Sequence, residues 1–174
     1  MTLAGSSTLL PSIIVQSANY YTAIDEQRDV FESHRHHIFS VAYYMTGDER
    51  EAETILGATF VATLQQHRRP SADQLDRALM SQLHQRMSLD PVPPVESGSA
   101  SLGGRNVRRT DLEEALWQLP GRERLCFLLR DVEGYSPARI AALLQTSASD
   151  VQRTVLSARI RIRRLLLEQR PADA

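Results

Sequence analysis

The chain has 174 residues, of which 42% are apolar and 24% charged, and a formal net charge of -1. That is the length of one ordinary domain or two small ones, and the composition of a folded protein rather than a disordered one. Eight glycines, eight prolines and one cysteine exclude collagen-like repeats, a disulfide scaffold and any multi-cysteine zinc site.

No stretch approaches the roughly 18 consecutive apolar residues of a membrane span. The start, Met1 to Val15, carries no basic residue, and Pro11 interrupts its short apolar run. A cytoplasmic protein without membrane insertion is expected. All 20 basic residues are arginine, whose planar forks suit phosphate and guanine. Residues 1–90 hold 7 arginines and 11 acids, residues 91–110 hold 3 and 1, and residues 111–174 hold 10 and 9. Between Arg153 and Arg164 there are five arginines and no acid. A local basic helix on a near-neutral body fits a nucleic-acid reader better than a nonspecific coat.

In chain order, residues 1–22 show weak periodicity and read as a loose N-terminal extension. A first helical domain is expected over 23–89. Val30, His34, Ile38, Val41 and Met45 recur at helical steps, widened by Phe31, Phe39 and Tyr43. Gly47 and Asp48 break that helix. A second runs from Glu49 to Gln65, with Ala52, Ile55, Leu56, Thr59, Phe60 and Leu64 on one side and an acidic first turn that suits the helix dipole. Leu75, Leu79, Leu83 and Met87 mark a third. Residues 90–109 contain three prolines, glycines and serines and few apolar side chains, so they read as a flexible linker.

A second domain is expected over 110–170. Thr110 and Glu113 form a capping box before Leu112, Ala115, Leu116 and Leu119. Pro120 suits the first turn of the next helix, which carries Leu125, Leu128, Leu129 and Val132 and stops at Gly134. Ser136 and Pro137 start a short helix with Ile140, Ala141 and Leu144 inward; after Gln145-Thr146, Ser147 to Asp150 caps a long last helix with Val151, Val155, Ala158, Ile162 and Leu165 inward. No segment alternates like a strand. The fold class is all-α: two small helical domains joined by a flexible linker, the second a helix-turn-helix domain.

In a helix-turn-helix the second helix enters the major groove with its N-terminal residues near base edges. At 100° per residue, the side opposite the Val151 to Leu165 stripe carries Ser149, Arg153, Leu156, Ser157, Ile160 and Arg164, with Gln152 at its edge. Gln152 and Arg153 have the donors to read adenine or guanine, Leu156 can meet a thymine methyl, and Ser149 and Ser157 can bond phosphate or a base. Arg159, Arg161 and Arg163 suit phosphates or acidic neighbours, and Arg161 and Arg164 are counted with the DNA-binding residues.

The run Leu119-Pro120-Gly121-Arg122-Glu123-Arg124-Leu125, then Phe127 to Ser136, Ile140-Ala141-Ala142-Leu143-Leu144, Val151 and Ala158-Arg159 resembles region four of bacterial extracytoplasmic-function sigma factors over some fifty residues. Phe31 to Gly47 and Ala52 to Phe60 resemble region two more weakly. The resemblance implies partners: core RNA polymerase, promoter DNA and an anti-sigma factor. It implies that Glu53, Thr54, Gly57 and Ala58 lie in the segment that binds the polymerase. The chain departs from the family at Thr54, usually aspartate, at Gly57, usually glutamine, and at Ala58, usually glutamate. Residues 61–90 also lack the aromatic residues that usually help open the duplex. In region four, Arg139 replaces a usual glutamate and Gln145 a usual glycine.

The expected function is that of an alternative sigma factor directing core polymerase to promoters. A sigma-like adaptor without initiation activity, or a helix-turn-helix regulator whose first domain dimerises, stays open beside it. No glycine-rich phosphate loop, nucleophile elbow or paired-carboxylate motif is present, so neither enzyme activity nor a cofactor is expected. His34 and His37 share a helical face, but no cysteine or paired acid nearby completes a metal site. Cys126 reads as a small core residue, and Trp117 as an anchor of the second domain's core or of a partner surface.

Overall fold

A computed structural model describes residues 10–95 and 107–168, with side chains from residue 22 onward. Its described residues are helical throughout, without strands. The first domain contains α1 (Leu10–Thr46), α2 (Glu49–Leu64) and α3 (Ala72–Arg86). Ile38, Val41, Ala42 and Met45 of α1 are buried with Ala52, Ile55 and Phe60 of α2 and Leu75, Leu79 and Leu83 of α3. Phe31 tilts against Phe60 at 4.9 Å between ring centroids. The buried hydroxyls of Thr59 and Thr63 donate to the carbonyls of Ile55 and Thr59, at 2.7 and 2.6 Å, so neither is left unpaired in the core.

The helix ends follow local chemistry. Gly47 takes φ +73, and Asp48 caps α2 by accepting the N–H of Glu51 at 2.9 Å. Ser71 and Gln74 form a reciprocal capping box on α3. The loose extension expected over 1–22 is corrected from Leu10 onward, where the chain is already in α1; residues 1–9 lie outside the described residues.

The second domain contains α4 (Arg109–Gln118), α5 (Gly121–Phe127) continued by a π-helical turn (Leu128–Val132), α6 (Pro137–Leu144) and α7 (Ala148–Glu168). It contributes Ala115, Leu116, Leu125, Cys126, Leu128, Leu129, Ile140, Val151, Val155 and Ala158 to an apolar core continuous with that of the first three helices. The capping box expected at Thr110 is not formed: the helix starts earlier, with Arg108 as N-cap, whose backbone N–H donates to the Asp111 carboxylate at 3.3 Å and whose guanidinium pairs with it, but arginine has no acceptor to complete the box. Cys126 is a fully buried core residue, and burial pushes its thiol up to about 11.

The two domains are not held apart. Trp117 stacks edge-on to Tyr43 at 6.3 Å and lies over Gly47, whose missing Cβ would sit 3.4 Å from the indole. The Arg124 guanidinium reaches across to the carbonyl of Met45 at 2.6 Å. The expected flexible linker is also corrected at its start. Residues 88–95 lie along the second domain as a strap: Arg122 donates to the carbonyl of Leu89, Arg161 to that of Pro93, and the N–H of Val95 donates to the Ser157 hydroxyl at 2.8 Å. Gly121 permits this approach, because a Cβ there would stand 2.5 Å from the carbonyl oxygen of Ser88. Residues 96–106 of the expected linker lie outside the described residues.

Candidate nucleic-acid interface

The last two helices form a helix-turn-helix as the pattern predicts. Ser136 caps α6 by accepting the N–H of Arg139 at 3.2 Å, and Pro137 occupies its first turn. Ile140, Ala141 and Leu144 are buried against α7. Gln145 then adopts a left-handed conformation, φ 52 and ψ 49, and the N–H of Thr146 returns to the carbonyl of Ala141 at 3.0 Å. This is the position where the family usually has glycine, and a side chain there costs roughly 1 kcal/mol. Gln145→Gly is therefore expected to raise stability by about 0.5–1 kcal/mol. A urea midpoint that falls instead would mean the glutamine side chain offsets the strain.

Ser147 starts α7 by accepting the N–H of Asp150 at 3.1 Å and donating to its carboxylate at 2.7 Å. Val151, Val155, Ala158 and Ile162 are the inward stripe. Ser149, Gln152, Arg153 and Arg164 are exposed, as is Leu156 at 56%. Arg153 is paired with Asp150 one turn back. The hydroxyl of Ser147 and the Arg153 guanidinium hold the Asp150 carboxyl below the usual carboxylate range.

Ser157, expected on the outward edge, and Arg161, expected at a phosphate or an acidic neighbour, are both turned inward. Ser157 is 1% exposed, donates to Glu123 at 2.7 Å and is covered by Val95. Arg161 is half-buried; its Nε donates to Glu123 Oε1 at 3.1 Å, and its Nη2 to the carbonyl of Pro93. The physical reason is a second packing side. Helix α5 and the strap both lie on α7 beside its apolar stripe, and Glu123 of α5 sits at that seam with 1% exposure. Arg159 is likewise occupied, in a two-pronged pair with Asp131 at 2.6 and 2.9 Å. Between strap and helix lies a groove of about 330 Å³ walled by Pro91, Pro94, Arg122, Arg153 and Thr154.

On the first domain, Glu53, Thr54 and Gly57 are exposed on α2, and Ala58 is half-buried. Thr54 turns its hydroxyl back to the carbonyl of Arg50 at 2.8 Å, and nothing lies within 4 Å of a Cβ built on Gly57. Glu53 borders a shallow hollow with Phe31, Phe39 and Leu56. The histidine cluster divides: His34 bonds the carbonyl of Val30 on its own helix, while His37 faces carboxylates from two other elements.

Comparison with known proteins bears on both halves. Residues 109–162 match the family Sigma-70, region 4. A co-crystal structure of the sigma factor RpoE with the anti-sigma factor NepR, from Bartonella quintana, aligns with a TM-score of 0.58 and 19% identity, covering 82% of this chain and 98% of that one. No curated protein sequence matches the chain. The likeness to RpoE is one of fold, and the region 4 match runs from the first turn of α4 into α7, through the whole helix-turn-helix. Residues 109–162 thus carry a Sigma-70 region 4 domain, and the chain shares its fold with that sigma factor.

Proposed function

We propose that the chain acts as an alternative sigma factor, binding core RNA polymerase in the cytoplasm and directing it to specific promoters. The observation that carries this reading is the solvent-facing edge of α7, where Ser149, Gln152, Arg153, Leu156 and Arg164 project from a region 4 helix-turn-helix. A guanidinium in that position can contact both acceptors of a guanine, Gln152 an adenine, and Leu156 a thymine methyl. Arg164, lower on the helix, suits a phosphate. Ser157 and Arg161 are withdrawn from this surface by Glu123 and the strap.

Glu53, Thr54, Gly57 and Ala58 are the proposed polymerase contact, and an anti-sigma factor is the proposed regulator. The role is one of binding, not catalysis. Two modest contacts joined in one chain raise each other's effective concentration. One observation favours a second reading, an adaptor that binds without initiating: Gly57 and Ala58 offer no side chain long enough to hydrogen-bond a partner.

The test is reconstitution. Purified chain should co-purify with core polymerase and give promoter-specific transcripts from genomic fragments. Co-purification without transcripts would support the adaptor, and a palindromic binding site would support a dimeric regulator. Within the first reading, Arg153→Ala is expected to cost about 1–3 kcal/mol in promoter affinity and to relax preference at one base. A loss equal across all sequences would reassign Arg153 to a phosphate.

A further inference from the structure

A cluster of six polar side chains joins the two domains and takes no part in the proposed DNA or polymerase contacts. His37 stands at its centre, on α1. Its Nδ1 lies 2.7 Å from Glu133 Oε2, on the turn that follows the π-helical segment. Its Nε2 lies 3.3 Å from Asp76 Oδ1, on α3. The Tyr135 hydroxyl donates to Asp76 Oδ2 at 3.0 Å and lies 3.1 Å from His37 Nε2, and its ring stacks on the imidazole. Arg139 of α6 covers the tyrosine ring at 4.0 Å and donates to Asp76 at 2.7 Å, with Asp73 at 3.0 Å. The Asp76 side chain is only 4% exposed, and those of His37 and Glu133 are 22% and 21% exposed.

The arrangement favours the doubly protonated ring, which keeps the most bonds. Each imidazole nitrogen faces a carboxylate oxygen, and a carboxylate only accepts. Both bonds form together only when both nitrogens carry a proton, so the closed interface calls for imidazolium. Neutral His37 has a single N–H: with that proton on Nδ1 for Glu133, Nε2 can accept from the Tyr135 hydroxyl at 3.1 Å, but the bonds of that nitrogen and that hydroxyl to Asp76 are then given up. Asp76 belongs to the same domain as His37; Glu133, Tyr135 and Arg139 belong to the other. Separating the domains therefore removes one of the two carboxylates from the ring.

We propose that this cluster is a pH-sensitive clasp: protonated His37 holds the two domains closed, and its deprotonation favours their separation. The surrounding charges keep the response on one residue. The hydrogen bond to Asp76, against the cost of burial and with the help of Glu133, raises His37 above the ordinary histidine value. Burial opposes the charge of Asp76, but bonds from His37 and Tyr135 and the charge of Arg139 outweigh it and keep its carboxyl below the usual range. Burial and the neighbouring Asp76 push the Tyr135 phenol up, so it stays neutral. Arginine 139 is charged throughout. The sign follows from linkage. A group that binds its proton more tightly in the closed form favours closure at low pH and loses that effect as pH rises through its closed-form value. Closure weakens by up to about tenfold per pH unit within the window between the open and closed values. Other ties across the interface, among them Arg124 to Met45, Arg109 to the Tyr44 hydroxyl and Trp117 on Gly47, do not depend on histidine.

Small-angle X-ray scattering of the full chain between about pH 5.5 and 8.5 tests the clasp, alongside NMR titration of the His37 ring. The expected result is a radius of gyration that grows with pH in step with the His37 resonance, and no such growth in His37→Gln. Should that variant fail to fold by circular dichroism, Glu133→Gln, on a half-exposed turn, takes its place and is expected to move the transition to lower pH. A radius constant across the range, or the same growth persisting in His37→Gln or unmoved in Glu133→Gln, would overturn the proposal. None of these measurements requires DNA or polymerase, so they fail or succeed apart from the proposed function.

Discussion

Arg124→Met is expected to destabilise the protein by about 3 kcal/mol, since three carbonyls lose a charged donor and each buried orphan costs about 1–3 kcal/mol. One guanidinium nitrogen donates to Met45 at 2.6 Å, and the other to Trp117 at 2.6 Å and Leu119 at 3.0 Å. These are carbonyls at the C-terminal ends of α1 and α4, groups that a helix cannot satisfy by itself. A partly buried cation also suits the negative pole of two helix dipoles. Burial draws the Arg124 guanidinium below its usual value, but a fork this far from neutrality stays charged. Methionine keeps the packing of the stem and removes every donor. Arg124→Lys recovers only part of the loss, because one ammonium cannot reach carbonyls spread over two helix ends. Urea unfolding followed by circular dichroism is the measurement. Because Met45 belongs to the first domain, the variant is also expected to broaden a single transition toward two. A loss below about 1 kcal/mol would mean that water replaces the arginine at these helix ends.

The sequence carried the parts of the structure that repeat at short range. The apolar spacing in α2, α3 and α7 predicts most of their buried residues but not Thr63, Asp76, Met80 or Ser157, and Ser136, Pro137, Ser147 and Gly134 mark helix ends as expected. The usual glycine at the family's tight turn corresponds to Gln145, whose left-handed backbone explains that preference. What could not be read was set by residues far apart in the chain. Residues from Leu10 onward lack a regular apolar stripe, so the first turns of a 37-residue helix read as a loose segment. Period counting on α7 finds one buried stripe, yet Ser157 and Arg161 are covered by a second side that α5 and residues 93–95 supply from elsewhere in the chain. The linker composition predicts freedom, but Gly121 opens room for its first residues to dock. The signal for that seam was present in one place: Glu123, an acid inside a leucine-rich helix, one turn from Phe127. His37, Asp76 and Glu133 gave no such hint, being 39 and 96 residues apart and each plausible on a solvated face.

Glu123→Ala is expected to cost about 3–5 kcal/mol, the penalty for leaving one member of a buried ion pair without its partner. Glu123 is almost fully enclosed, yet it holds two side chains at once. Its Oε1 accepts from Ser157 at 2.7 Å and from Arg161 at 3.1 Å, while Oε2 lies 2.9 Å from the same arginine nitrogen but out of line for a hydrogen bond. Through Ser157 it orients the hydroxyl that accepts Val95, and through Arg161 the fork that reaches Pro93. Removing the carboxylate thus strands an arginine against α5 and loosens the strap together. Glu123→Gln keeps an acceptor without the charge and should cost about half as much, by the difference between charged and neutral hydrogen bonds. The decisive comparison is a double-mutant cycle with Arg161→Met. If the large single loss comes from a stranded charge, Glu123→Leu combined with Arg161→Met will be far more stable than the two losses added, as for other buried pairs replaced by apolar groups. Additive losses would instead assign the cost to the cavity and the serine, and would make the strap's anchorage independent of the ion pair beneath it.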